Sequence, residues 1–206
     1  MGGRLLLATG NEHKRRELAR MLAGSGEPWQ LDLLPSHVRL PPETGHSFAE
    51  NAFLKARAAA QATGRPTIAD DSGIEAAALD GRPGVRSARY AGEHATDEQN
   101  LQKLLREAPA GSPLRYVCAI AYVEPATGEE RLFEGACTGI LAADPTGDHG
   151  FGYDPAFIPD DWPGEHTMAE LTDDQKDRIS HRARAVHALL AWLALRPSPS
   201  DPLTAG

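Results

Sequence analysis

The chain is poor in cysteine and in aromatic side chains, with two cysteines and 6% Phe, Tyr and Trp. Two cysteines, Cys118 and Cys137, exclude a disulfide framework and a structural zinc site. Cys118 sits in the apolar run 116–123, which reads as a buried, inert thiol. No apolar run reaches membrane-spanning length, and the first residues lack the basic segment and apolar stretch of a secretory signal. A cytoplasmic location is therefore expected. Positive charge is also scarce: 21 Lys and Arg against 29 Asp and Glu leave a net charge of −8. The single dense basic run, Lys14-Arg15-Arg16, is too short to coat a nucleic-acid backbone, so a polymeric partner is not expected. A small polyanion in a focused site, accompanied by a divalent cation, remains compatible with an acidic exterior.

What is present is ordinary for a globular protein: 41% hydrophobic and 24% charged residues over 206 positions. That length suffices for one domain with a sizeable core, expected over residues 1–195. The Pro- and Ser-rich segment from Arg196 onward reads as a flexible tail, 196–206. Periodicity and turn residues predict a mixed α/β order without internal repeats. A strand at 5–8 precedes a helix at 14–23, and a second strand covers 30–34. Ser47-Phe48-Ala49-Glu50 reads as a capping box opening a helix to Ala62 that stops at Gly64. A short strand at 66–69 ends at Asp70-Asp71-Ser72-Gly73, followed by a short helix at 74–79. A helix at 97–107, long strands at 114–124 and 130–141, and a final capped helix from Thr172 complete the order.

Four constellations carry chemistry. Thr9, Gly10, Asn11, Glu12, His13 and Lys14 form a strand–turn–helix start, where free N–H groups, the helix dipole and the Lys14 charge favour an anion. Gly-Lys-Ser/Thr is absent, so this is not a P-loop. Many ordinary βα units open on a similar turn. Asp70-Asp71-Ser72-Gly73 places two carboxylates at a sheet rim, and strand alternation sends only one of them into a site. The other is expected to cap the following helix or bond the loop. Such a carboxylate holds Mg²⁺, accepts a proton from water, or simply caps a helix. Phe151-Gly152-Tyr153-Asp154 offers rings and close backbone to a flat ligand, or else packs on the core. Lys176, Ser180, His181 and Arg182 fall near the start of one predicted helix, on faces too different to reach one ligand unless it nests against the helix side. Glu50, Asn51 and Lys55 share a polar face that reads as solvated.

Taken in register, Thr9-Gly10-Asn11-x-x-Lys14, Glu43-Thr44-Gly45-x-Ser47-Phe48-x-Glu50-Asn51-Ala52-x-x-Lys55-Ala56, Asp70-Asp71-Ser72-Gly73, Ser87-Ala88-Arg89-Tyr90, Gly150-Phe151-Gly152-Tyr153-Asp154-Pro155, and Lys176 with Ser180-His181-Arg182 resemble the inosine-triphosphate pyrophosphatase family, of the bacterial dITP/XTP pyrophosphatase type. The resemblance implies an elongated mixed β-sheet with flanking helices, two lobes around a central cleft, and a homodimer. It implies Mg²⁺-dependent hydrolysis of deaminated purine nucleoside triphosphates (ITP, dITP, XTP) to monophosphate and pyrophosphate. By matching position, Asp71 is the implied proton acceptor and metal ligand, and Ser72 a substrate contact. Thr9 to Lys14 hold the triphosphate, and Phe151, Gly152, Tyr153, Asp154, Lys176, His181 and Arg182 meet base and sugar. Some relatives carry a metal-binding acid where this chain has Pro42, with Glu43 next along. Two rivals remain: a pyrophosphatase for modified pyrimidine triphosphates, and a nucleotide-binding module without turnover.

Overall fold

The structure is a computed structural model and describes residues 3–24, 26 and 29–196. One six-stranded sheet runs through it in the order β2-β1-β3-β4-β5-β6. The strands are β1 (Arg4–Leu7), β2 (Gln30–Leu33), β3 (Thr67–Ala76), β4 (Pro113–Glu124), β5 (Glu129–Leu141) and β6 (Phe157–Pro159). β1 pairs in parallel with β2 and β3, and every later pairing is antiparallel, so the sheet is mixed as expected. Leu5, Leu6 and Leu7 are all buried, the continuous apolar run of a strand covered on both faces.

The helices α1 (Glu12–Gly24) and α5 (His181–Ala194) cover one face, packing Leu18, Leu22, Val186 and Leu189 against Leu5, Leu7, Ile68 and Ile120. Helix α2 (Phe48–Thr63) covers the other with an alanine-rich stripe, Ala52, Ala56 and Ala59, against Leu6, Ala69 and Ala119. A second lobe forms at the far ends of β3, β4 and β5, where Ile74, Leu114 and Leu141 pack with α3 (Asp97–Glu107) and α4 (Asp173–Ile179). No helix among the described residues is long and apolar enough to cross a membrane.

Three local expectations change. β3 does not stop at Asp70: it pairs with β4 from Thr67 to Ala76, so the helix expected at 74–79 is strand followed by a 3-10 turn, Ala77–Leu79. The cross-strand ladder supplies partners along the whole segment, and local capping signals lose to it. Ser47 caps α2 through its hydroxyl, but the Glu50 carboxylate accepts from the N–H of His46, not of Ser47, so only half of that capping box forms. The last helix is two helices. Ser180, extended at φ −66° and ψ 152°, ends α4 and caps α5 through the Ala183 N–H. Of the expected tail only Arg196 lies within the described residues; its guanidinium pairs with Glu129 at 2.9 Å and lies over the Trp192 ring.

Candidate active site

Strand alternation decides which acid goes where. Asp70 and Ser72 face α1 and α5, whereas Asp71 faces α2. Asp70, fully buried, takes the Lys14 ammonium at 3.1 Å and the Arg182 guanidinium at 3.5 Å. Burial pushes its pKa up, but Lys14, Arg182 and Lys55 outweigh it and hold the carboxyl at about 2. Neither role expected for the second acid, capping a helix directly after it or bonding the loop, is the one found: β3 runs on to Ala76, and Asp70 is a counter-charge to Lys14 and Arg182.

On the opposite face Asp71 accepts from the Asn51 amide at 3.0 Å and from Lys55 Nζ at 3.4 Å. Lys55 also donates to Glu43 at 2.5 Å. Burial pushes Asp71 above the usual carboxylate range even though Lys55 and Lys14 pull it down. Of the face expected to be solvated, Glu50 is exposed, but Asn51 and Lys55 are 0% and 6% exposed, so the expectation fails for those two. Their stripe was visible in the sequence: Phe48, Asn51, Ala52, Lys55, Ala56 and Ala59 recur at helical spacing on one face of α2.

The N-terminal turn is more self-satisfied than its sequence suggests. Asn11 N–H donates to Thr9 Oγ1, and the N–H groups of His13 and Lys14 both donate to Asn11 Oδ1. Its attraction for an anion therefore rests on fewer amides and more on Lys14. The ammonium of Lys14 lowers Asp70, Asp71 and Glu43 together, placing it electrostatically between the two faces.

A cavity of about 510 Å³, counting the open solvent at its mouth, opens on the Asp70 side. Of the residues singled out above, it is lined by Asn11, Lys14, Ser72, Phe151, Gly152, Tyr153, Asp154, Lys176, His181 and Arg182. Thr9, Gly10, Glu12, His13 and Asp71 are not on its wall. The break at Ser180 explains why Lys176, His181 and Arg182 converge when a single helix would have splayed them. Sequence reasoning missed Asp97 and Tyr116, which also line it, and quoted Ser87 in the resemblance without giving it a place in the site. Asp97 accepts from the Gly152 N–H at 3.1 Å, and Tyr153 donates its hydroxyl to the Ser87 carbonyl at 2.8 Å. Gly73 lets this wall approach, since a Cβ there would collide with the Ser87 hydroxyl and the Gly84 carbonyl.

Beneath the cavity lies a buried ionic chain. Lys176 donates to Glu17 and to Asp154, each at 2.7 Å, and Arg182 donates to Glu17 and to Ser72. Glu17 is only 6% exposed and was not foreseen as a site residue. Burial raises its pKa, yet the Arg182 and Lys176 charges prevail and lower it. Asp154 also accepts from the Phe151 N–H and the Tyr116 hydroxyl, fixing the loop that carries Phe151. Gly150, at φ 74°, gives that loop its turn, and a Cβ there would strike the Asp154 carboxylate. Among the described residues, two buried polar atoms of the cavity-lining side chains have no partner, His181 Nδ1 and Arg182 Nε, and Asp70 Oδ1 on the same side of the sheet has none either.

His181 stacks on Tyr116 at 4.5 Å and is 4% exposed. Burial, then the charges of Arg182, Lys176 and Lys14, push its pKa well below the ordinary 6.5. The folded protein keeps it neutral while the unfolded chain protonates it below about pH 6.5. The unfolded state then binds more protons, so stability falls as pH drops through that value, by up to about 1.4 kcal/mol per pH unit. Urea unfolding from about pH 8 down to pH 5 is expected to show this decline, and His181→Gln to flatten it.

Comparison with known proteins places this geometry. A model of the Ham1 family matches residues 5–192. The chain is 45% identical over 193 residues to a dITP/XTP pyrophosphatase of Cutibacterium acnes, covering 91% of this chain and 94% of that one. It is 46% identical over 191 residues to a dITP/XTP pyrophosphatase of Deinococcus radiodurans, covering 91% and 92%. A HAM1 protein from Coxiella burnetii superposes with a TM-score of 0.83 at 36% identity, over 94% of this chain and 99% of that one. The matched span takes in both lobes and every cavity-lining segment, and the chain belongs to the Ham1 family.

Proposed function

We propose that this protein is a nucleoside-triphosphate pyrophosphatase that hydrolyses deaminated purine triphosphates (ITP, dITP and XTP) to the monophosphate and pyrophosphate, removing them from the nucleotide pool. The observation that carries this reading is the placement of Lys14, which lines the cavity with Phe151 and also pulls on the Asp71 carboxyl from across the sheet. The relatives at 45% and 46% identity are dITP/XTP pyrophosphatases, which supports it.

In this reading the purine enters the cavity beside Phe151, and the triphosphate runs past Lys14 toward Asp71. Asp71 orients water and accepts its proton as the water oxygen bonds to the α-phosphorus. The bond from the α-phosphorus to the bridging oxygen breaks, and Lys14 meets the charge that grows on the departing pyrophosphate. For a divalent cation the donor set is Asp71, whose carboxyl burial leaves short of positive charge, with Glu43 beside it on the shared Lys55. No group of three His, Cys, Asp or Glu converges among the described residues. Two carboxylates suit a hard cation such as Mg²⁺; Asp71 and Glu43 would hold it, and it would offset phosphate charge there. Glu43 would then stand in for the acid missing at Pro42.

Base choice follows from the cavity's unpartnered atoms. Arg182 Nε carries a proton with no acceptor, and a neutral His181 can present one at Nδ1. A 6-oxo group satisfies such donors, whereas the 6-amino group of adenine leaves them unpaired. The Phe151 and Gly152 amides are already committed to Asp154 and Asp97. A homodimer, which rests on the family resemblance, and a cytoplasmic location and a single domain over 1–195, which rest on composition and length, complete this reading.

The test is pyrophosphate release by purified protein with Mg²⁺. ITP, dITP and XTP are expected to turn over far faster than dTTP, dUTP or ATP, and EDTA is expected to stop the reaction. Preference for dTTP or dUTP would move the chain to the pyrimidine-directed enzymes. Binding of dITP without turnover would leave a binding module.

A further inference from the structure

His13 belongs to the phosphate turn by position but not by contact. Its N–H is taken by Asn11 Oδ1 at 2.9 Å, and its imidazole reaches across to the Phe151 ring. The two rings are stacked, with centroids 5.0 Å apart and planes 21° from parallel. Phe151 also meets Lys176 Nζ at 5.1 Å and the Arg182 guanidinium carbon at 5.7 Å from its centroid. Phe151, Lys176 and Arg182 all line the cavity, whereas His13 does not. Phe151 thus joins the cavity wall together with Lys176 and Arg182, while His13 meets the same ring from outside that wall.

We infer that His13 is a positioning residue that acts through Phe151. It braces the ring from outside, so that Phe151 stands ready as the wall against which the purine stacks. This rests on the nucleotide reading above and adds a base-side role for a residue of the phosphate turn. The loop backbone is fixed without it, through Asp154 on the Phe151 N–H, but that bond leaves the half-buried ring itself free to turn. The clasp also ties the turn at the start of α1 to the loop after β5, the two segments that must hold opposite ends of one substrate.

A stacked pair of this kind is worth roughly a 2- to 10-fold change in binding. His13→Ala is expected to raise KM for dITP by about that factor, with a smaller effect on kcat. His13→Phe keeps a ring and is expected to bring KM back. In a Phe151→Leu background, His13→Ala is expected to add nothing, because there is no ring left to brace. His13 is exposed at a helix start, so thermal denaturation should register little change in any His13 variant. In the substrate-free wild type, the His13 ring protons should also show an upfield NMR shift that Phe151→Leu removes. An unchanged or lowered KM in His13→Ala, an equal effect with and without Phe151, or no ring-current shift overturns the brace. Failure of the wild type to turn over dITP or XTP would instead overturn the nucleotide reading, and the brace with it.

Discussion

Asp71→Asn lowers kcat for dITP by roughly 10³-fold, the usual loss when a general base or charge-stabilising group is removed. The physical basis is the carboxylate's surroundings. Asp71 is 5% exposed, and burial raises its pKa against the pull of Lys55 and Lys14, so its ionised form is a stronger proton acceptor than an ordinary aspartate. Asn keeps the shape and can still pair with the Asn51 amide, but it takes neither a proton nor a cation. The fold should survive, since the charge removed is one that burial disfavours and Lys55 keeps Glu43 as its partner. Pyrophosphate release and a thermal melt on the same preparation check both halves. Near-normal turnover would remove Asp71 from the chemistry, and a collapsed melt would make the activity loss uninformative.

Glu17→Ala has the largest expected effect on stability. Glu17 is the common counter-charge of Lys176 and Arg182, which are 3% and 1% exposed. Removing one partner from a buried ionic group leaves uncompensated charge and costs about 3–5 kcal/mol. For a chain of this size that is a fall in Tm of roughly 10 °C. Lys176 keeps Asp154, and Arg182 keeps Ser72 with a longer reach to Asp70, so the loss is partial rather than complete. Glu17→Gln, which preserves the packing, is expected to lose less. The sign with pH follows from the lowered pKa of Glu17: its contribution is full above the ordinary 4.5 and is lost as pH falls below that value. Equal Tm values for wild type and Glu17→Ala would mean that the ionic chain contributes nothing net.

Much of the site was legible because its residues sit in short segments whose local chemistry announces them. The turn at Thr9 to Lys14, the acid pair and the Phe151 loop each advertise a capability within a few residues. The resemblance set them in one order, and the cavity gathers ten of the residues so identified. The errors share a cause. Each arose where a periodic rule was applied across a break or stopped too early: one helix assumed through Ser180, a strand ended at Asp70, a polar face of α2 sent to solvent. Glu17 and Lys55 were readable in principle, since both fall on the buried stripes of their helices, where a lone charge demands a partner.

Sequence alone determined most of the sheet-and-helix order, the net negative charge, and the opposed directions of Asp70 and Asp71. These follow from residue spacing, composition and the two-residue repeat of a strand, none of which needs a third dimension. Tertiary structure decided the partners. Lys176 and Glu17 stand 159 positions apart, Arg182 and Ser72 110, Gly152 and Asp97 55. Burying those charges is tolerable only where opposite charge meets them, and chain packing, not local pattern, brings the two together.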